Sequence, residues 1–305
     1  MILGGIITAA FTFWSDNGKL DAEAIQRYCD FQVNAGVDGL FIIGSTGEFA
    51  TMDVATRKSA AVFYHKSLAG RLPLVVHTGA LLPEDSFELT KHACSLGVDG
   101  VAAVPPFYYP YDHDALFEFF STLAGHSGKT PVYLYNFPAA AKNDLPPSLI
   151  KSLMASCPNI VGVKDTSQDY TRYVDYLYHL GNKATVLMGS DAMLLAAMVM
   201  GGSGCITATA ACFPELMVAI KTEYMANNIE RARELQIMAA RLRLLFGTQP
   251  GLPVRKMGLT LRGFDCHYVN APMRQMTKAE VENFSEAIKS LENEFSFPLT
   301  NAISN

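Results

Sequence analysis

Eight short apolar runs punctuate the first two-thirds of the chain at intervals of roughly 25–35 residues, and they leave few folds open. They read GGIITAAF (4–11), GLFIIG (39–44), LPLVVHTG (72–79), GVAAVPP (100–106), PVYLYN (131–136), IVGVKD (160–165), TVLMGS (185–190) and GCITAT (204–209). Apolar residues stand side by side in them rather than alternating with polar ones, the pattern of strands covered on both faces. A helix-patterned segment fills each gap. DAEAIQRYCDFQVNAG (21–36) is one, with Asp21 placed to cap its start and Gly36 to stop it. Strand and helix in alternation predict a parallel sheet with the helices outside.

An internal echo supports this reading. AGVDGLFIIG and LGVDGVAAVP share a Gly-Val-Asp-Gly join between a helix end and a strand start, which marks a repeated β/α unit. Eight such units in about 210 residues predict an α/β fold closed into a (β/α)8 TIM barrel over residues 1–214. Residues 215–305 carry no strand pattern and predict a C-terminal helical extension, with AEVENFSEAIKSLENEF (279–295) its clearest helix. No low-complexity linker sets this region apart, so it should pack beside the barrel.

Half of the 305 residues are hydrophobic, enough to fill such a core. The net charge of −5 and the lack of any Lys/Arg-rich run argue against a nucleic-acid surface. Six scattered cysteines (Cys29, Cys94, Cys157, Cys205, Cys212, Cys266) form no CxxC pair and read as reduced thiols of a cytoplasmic protein. MILGGIITAAF lacks a basic leader, so no signal peptide is expected. The uncharged stretch between Asp191 and Glu215 is long enough to span a bilayer, but GGSG (201–204) breaks it. A buried helix, a turn and a buried strand are expected there, with no membrane span.

In barrels of this kind, chemistry gathers at the C-terminal ends of the strands. Read in order, those ends carry Thr8, Ser45–Thr46, His77, Tyr108, Tyr135–Asn136, Lys164–Asp165, Ser190–Asp191 and Thr207. Lys164 is an amine closing an apolar run. In a barrel mouth it would lose hydration, which favours the neutral, nucleophilic form able to attack a ketone. The plain alternative is an ion pair, with Asp165 or across the barrel. Tyr135 ends the neighbouring strand, within reach of a substrate held by Lys164 and able to act as acid or base. Most of the thirteen tyrosines must nonetheless be structural.

GSTGEF (44–49) follows the second strand. Opening a helix there, it would offer backbone N–H groups to a carboxylate, and a capped turn is the alternative. GGSG precedes its strand and belongs to the face that serves stability. The seven histidines show no metal-ligand spacing and only His77 stands at a strand end, so no metal is expected. PPFYYPY (105–111) is a proline-stiffened aromatic loop suited to a pocket wall, a subunit contact or a purely structural role.

GSTGE (44–48), YNFP (135–138) and GVKDT (162–166), in this order and spacing, resemble the pyruvate-dependent class I aldolase family that includes dihydrodipicolinate synthase and N-acetylneuraminate lyase. The resemblance spans the barrel and much of the extension. It implies that Lys164 is the imine-forming lysine, Tyr135 the catalytic tyrosine, and Ser45 and Thr46 the pair that holds the pyruvyl carboxylate. It further implies that Thr46 relays protons with Tyr108, reaching in from the neighbouring subunit, and that Gly189 and Ile206 line the pocket. Such a shared site implies at least a dimer, and the usual form in the family is a homotetramer, a dimer of dimers. No metal or organic cofactor is implied, because the lysine imine formed with pyruvate is itself the electron sink.

Departures within the family narrow the expectation. Synthases place an arginine two residues after the YNxP proline, where this chain has Ala140. Sialic-acid lyases usually carry Asp-Glu after the seventh strand, and here Asp191 is followed by Ala192. YNFPAAAKND with GVKDT is most similar to the 2-keto-3-deoxy sugar-acid aldolases, in which the threonine matching Thr166 faces the sugar hydroxyls. The expected function is reversible cleavage of such an acid, for example 2-keto-3-deoxygluconate, to pyruvate and an aldehyde. The alternatives are 4-hydroxy-tetrahydrodipicolinate synthase, a sugar-acid dehydratase or hydratase, and a non-catalytic ligand-binding barrel.

Overall fold

The computed structural model describes residues 3–15, 17–248, 250–266 and 268–301. Eight parallel strands pair in sequence order: β1 (Gly5–Ala9), β2 (Gly39–Ile42), β3 (Leu74–His77), β4 (Gly100–Ala103), β5 (Val132–Asn136), β6 (Ile160–Asp165), β7 (Thr185–Met188) and β8 (Gly204–Thr207). One strand falls in each of the eight apolar runs, and β8 pairs with β1 to close a TIM barrel. Closure depends on Gly204, at φ +141°, because a Cβ there would stand 2.1 Å from the Gly5 carbonyl oxygen. The GGSG turn therefore contributes to the seam of the barrel as well as to a bend.

Helices α1 (Ala22–Asn34), α2 (Val54–Leu68), α3 (Pro83–Ser95), α4 (His113–Ser127), α5 (Pro138–Ala141), α6 (Pro147–Ser156), α7 (Tyr170–Leu180) and α8 (Leu194–Val199) fill the gaps between strands. Asp21 caps α1 by accepting the Ala24 N–H at 2.9 Å. The two Gly-Val-Asp-Gly joins do the same work one strand back. Asp38 accepts the Ile6 N–H at 2.7 Å, and Asp99 accepts the Leu74 N–H at 2.9 Å, so each aspartate satisfies a donor where a strand begins.

After β8 comes α9 (Pro214–Met225), packed on β1 as the eighth helix of the barrel. The boundary drawn at residue 214 thus falls on the first residue of the last barrel helix. The helices added to the barrel are α10 (Ile229–Phe246), α11 (Leu252–Thr260) and α12 (Lys278–Phe295), the last opened by a Thr277–Glu280 capping box. The uncharged stretch after Asp191 forms α8, a turn and β8, and no helix among the described residues is long and apolar enough to cross a membrane.

Two apolar layers result from the two-residue period of the strands. One lies between strands and helices. The other fills the barrel itself and includes Ile7, Phe41, Val75, Tyr135, Leu187 and Ile206.

Candidate active site

Alternation along β6 places Val163 and Asp165 outside the barrel and Lys164 inside it. Lys164 is 4% exposed. Its Nζ lies 3.9 Å from the centre of the Tyr135 ring and 4.3 Å from that of Phe41. Tyr135 is the register partner of Lys164 on β5. The ion pair with Asp165 does not form. That carboxylate faces outward, where it accepts the Asn136 side-chain N–H at 3.0 Å and the Ser167 hydroxyl at 2.8 Å, and burial raises its pKa above the usual carboxylate range. Asn136 of the YNFP motif is likewise spent on structure, donating to Asp144, Asp165 and Tyr176. An amine with no carboxylate partner among the described residues, set against aromatic rings at a strand end, is an arrangement for chemistry more than for stability.

The 44–48 loop differs from expectation in one respect. It does not open a helix: a short 3-10 turn (Phe49–Thr51) intervenes, and α2 starts only at Val54 with Asp53 as its cap. The reason is Glu48. Its residue is held at φ +63°, and Ile43 at the other end of the loop at φ +57°, a conformation that β-branched residues rarely adopt. The turn aims the Glu48 carboxylate into the protein, where it meets Lys256 of α11 at 2.6 Å, the Trp14 indole N–H at 3.1 Å and the Asn270 N–H at 3.0 Å. Lys256 completes its bonding on the Thr12 and Tyr268 carbonyls. With Glu48 pinned, Ser45 is left exposed and Thr46 half-buried at the loop tip. Ser45 lines a cleft of about 360 Å³ together with Phe49, Phe107, Phe137, Ala140 and Leu252. Phe137 stacks on Tyr135, linking this cleft to the lysine.

Thr166 and Gly189 form a single feature. A Cβ at Gly189 would stand 2.0 Å from the Thr166 hydroxyl oxygen and 2.6 Å from the Asp165 carbonyl oxygen, so only glycine leaves that hydroxyl in place. Among the described residues the buried Thr166 Oγ1 has no hydrogen-bond partner. Ile206 lies in the barrel interior, paired in register with Ile7. Tyr108 is apart from all of these. It is 73% exposed at φ +86°, with Tyr109 edge-on against its ring, and in the single chain it projects away from the barrel.

His77 packs edge-on against Tyr135 but is not free for proton transfer. Its Nδ1 lies 3.1 Å from the Ile43 carbonyl, and its Nε2 accepts the Val104 N–H at 3.3 Å. This pairing selects one neutral tautomer. Burial, then the charges of Arg57 and Lys164, hold its pKa well below the usual histidine value.

A second polar group sits at the mouth of β7 and β8. The Asp191 carboxylate is 4% exposed and accepts from the Thr207 hydroxyl and, at 3.4 Å, from the Thr209 N–H. Arg243 of α10 approaches it to 4.0 Å, and Gln236 of the same helix donates to its carbonyl at 2.9 Å. Arg255 of α11 is half-buried. Thr207 and Asp191 were visible as strand-end residues. Thr209 lies just beyond a strand end, and the arginines come from helices without any motif, so no local signal marks them.

A closed barrel thus holds a buried lysine at the end of β6, with no carboxylate partner among the described residues, beside a tyrosine on β5. The dihydrodipicolinate synthetase family model matches residues 2–291, and the chain belongs to that family. It is 33% identical over 288 residues to the N-acetylneuraminate lyase of Rhizobium meliloti, covering 94% of this chain and 95% of that one. It is 30% identical over 288 residues to the 4-hydroxy-tetrahydrodipicolinate synthase of Brucella abortus, covering 94% and 98%. Among solved structures it superposes on YagE, a prophage protein of the dihydrodipicolinic acid synthase family from E. coli K12 in complex with pyruvate. That match has a TM-score of 0.92 at 28% identity, over 96% of this chain and 99% of that one. The protein is a carbon–carbon lyase of the aldolase type, and a purely ligand-binding role falls away.

Proposed function

We propose that the protein reversibly cleaves a 2-keto-3-deoxy sugar acid to pyruvate and a hydroxyaldehyde. The observation that carries the reading is the Lys164 amine, buried, free of any carboxylate among the described residues and seated on the Tyr135 ring. Lys164 Nζ adds to the C2 ketone and water leaves, giving an iminium. Tyr135 removes the C4 hydroxyl proton as the C3–C4 bond breaks, and the bonding pair moves into the iminium as an enamine. Protonation at C3 and hydrolysis release pyruvate and restore the amine. Ser45 and Thr46 hold the substrate carboxylate, Gly189 and Ile206 shape the pocket, and the unpartnered Thr166 hydroxyl meets a sugar hydroxyl. The imine is the electron sink, so the reaction requires no metal or organic cofactor.

Ala140 separates this reading from the synthase. It is exposed on the Ser45 cleft, and the cation two residues further along the sequence, Lys142, is itself exposed on the left-handed cap of α5. A charge-assisted contact is worth roughly 1.5–3 kcal/mol, so a semialdehyde whose carboxylate needs a cation at this spot forfeits about ten- to a hundredfold. Purified protein should therefore release pyruvate from 2-keto-3-deoxygluconate, and condense pyruvate with glyceraldehyde at a higher kcat/KM than with aspartate semialdehyde. The opposite order would give the protein to the synthases.

Tyr108 completes the site from a neighbouring subunit in this reading, within a homotetramer built as a dimer of dimers. Its exposure and its positive φ support a role outside its own chain's core. Mixed oligomers of inactive Tyr108→Phe and inactive Lys164→Ala subunits should regain part of the activity, because one site in each hybrid pair is whole. Hybrids that form without regaining activity would remove Tyr108 from the shared site.

A further inference from the structure

We propose that Asn143 is a positioning residue for the reaction: its side chain fixes the loop that carries Tyr108, and it thereby serves the neighbouring subunit's site rather than its own. The inference rests on the shared-site reading of Tyr108 above and adds the residue that makes that reading work.

The loop PPFYYPY (105–111) runs between β4 and α4 with little to hold it. Its three prolines restrict φ but also remove three N–H donors. Residues 108–111 are exposed, and Tyr108 stands at φ +86°. A residue other than glycine keeps such a conformation only where its surroundings impose it. Among the described residues, each hydrogen bond that reaches this loop involves one side chain, that of Asn143. The amide nitrogen donates to the Pro106 and Tyr109 carbonyls, both at 2.9 Å, and the amide oxygen accepts the Tyr111 N–H at 2.7 Å. One amide therefore grips the chain on both sides of Tyr108.

The anchor itself is firm. Asn143 is buried, and its nitrogen also donates to the Ala141 carbonyl at 3.1 Å. The next two residues are tied to Asn136 at the end of β5. Asp144 accepts the Asn136 side-chain N–H at 3.1 Å and pairs with Arg172 at 2.8 Å, and the Leu145 N–H donates to the Asn136 side-chain oxygen at 3.1 Å. The amide is thus held from the barrel, not from the loop. Satisfying polar groups does not account for it, because Tyr109 and Tyr111 lie in an exposed stretch where water can serve their backbone. Water cannot supply a fixed shape. None of the side-chain bonds of Asn143 among the described residues touches Lys164, Tyr135 or the 44–48 loop. Its effect is therefore directed at Tyr108, and through Tyr108 at the site next door.

The test uses full-length subunits and an assay that needs no aldehyde, the exchange of the methyl protons of pyruvate for deuterium in heavy water. Lys164 forms the imine, a C3 proton leaves to give the enamine, and a deuteron from the solvent returns to C3. In oligomers mixed from Tyr108→Phe and Lys164→Ala subunits, the whole site takes its lysine from the first and its Tyr108 from the second. Asn143→Leu keeps the bulk of the side chain and removes its hydrogen bonds. Added to the Lys164→Ala subunit, it should lower the regained kcat about ten- to a hundredfold, the scale of a displaced catalytic group, and change KM for pyruvate less than about threefold. Added to the Tyr108→Phe subunit, it should change the regained rate less than about threefold, because the loop it frees there serves a dead site. Asn143→Ser in the same two placements decides the matter where the leucine variant does not assemble. An equal loss from both placements gives Asn143 a structural role and overturns the inference, and so does a regained rate that neither placement alters. Hybrids that form without regaining exchange remove Tyr108 from the shared site and this inference with it. A wild-type protein that exchanges pyruvate protons but cleaves no sugar acid overturns the substrate reading alone, and the two placements still decide the role of Asn143. A wild-type protein without exchange overturns the imine reading and this inference together.

Discussion

Lys164→Ala should lower kcat/KM for sugar-acid cleavage by about 10⁴ to 10⁶, because removing the nucleophile removes the covalent route altogether. Its signature lies in the mass of the protein. Treated with pyruvate and borohydride, the wild-type chain should gain one reduced pyruvyl adduct and the variant none. The control is built into the structure. Lys256 is the other buried lysine among the described residues, but its Nζ is committed to Glu48 and two backbone carbonyls. Folding should be largely preserved, since Lys164 gives up only its contacts with the Phe41 and Tyr135 rings and joins no ion pair among the described residues. An adduct of equal stoichiometry on Lys164→Ala would move the imine to another amine and dismantle the proposed mechanism.

The second large effect is one of stability that reaches the site. Glu48 and Lys256 are both almost fully buried, and each is the main partner of the other. Breaking such a pair from one side leaves an uncompensated charge in the interior, at a cost of about 3–5 kcal/mol. Lys256→Met should therefore lower Tm by on the order of 10 °C. It should also raise KM for the keto acid, because Ser45 and Thr46 are carried by the loop that Glu48 pins. The double variant Glu48→Gln/Lys256→Met removes both charges and should melt above Lys256→Met alone. Thermal melts of the wild type, Glu48→Gln, Lys256→Met and the double variant form a double-mutant cycle, and strictly additive losses would show that the two side chains do not act as a pair.

How much of this was legible beforehand follows from the range of each interaction. The barrel was readable because strand and helix periods are local, and each apolar run between helical segments announces itself within about ten residues. Lys164 and Tyr135 were readable for the same reason: position at a strand end is a property of the run that contains it. The 44–48 loop was only half readable. Its small and hydroxyl residues were apparent, but a helix start was expected where the chain instead passes through left-handed conformations at Ile43 and Glu48. The Glu48 carboxylate that follows from this backbone pairs with Lys256, far along the chain, and no pattern within the motif records it.

The sequence by itself determined the closed barrel, the inward amine and the family, because these depend on periodicity and on motifs whose residues are near neighbours. The tertiary structure alone decided which partners the charged groups take. It turned Asp165 outward onto Asn136 and Ser167, removing the ion pair that adjacency had left open. It locked His77 as a neutral tautomer between two backbone groups. It also brought Arg243, from a helix added after the barrel, to the mouth beside Asp191. The physical reason is the same in each case. A charge is paired by whatever folding places within a few ångströms, and for residues far apart in the chain that distance is set by packing.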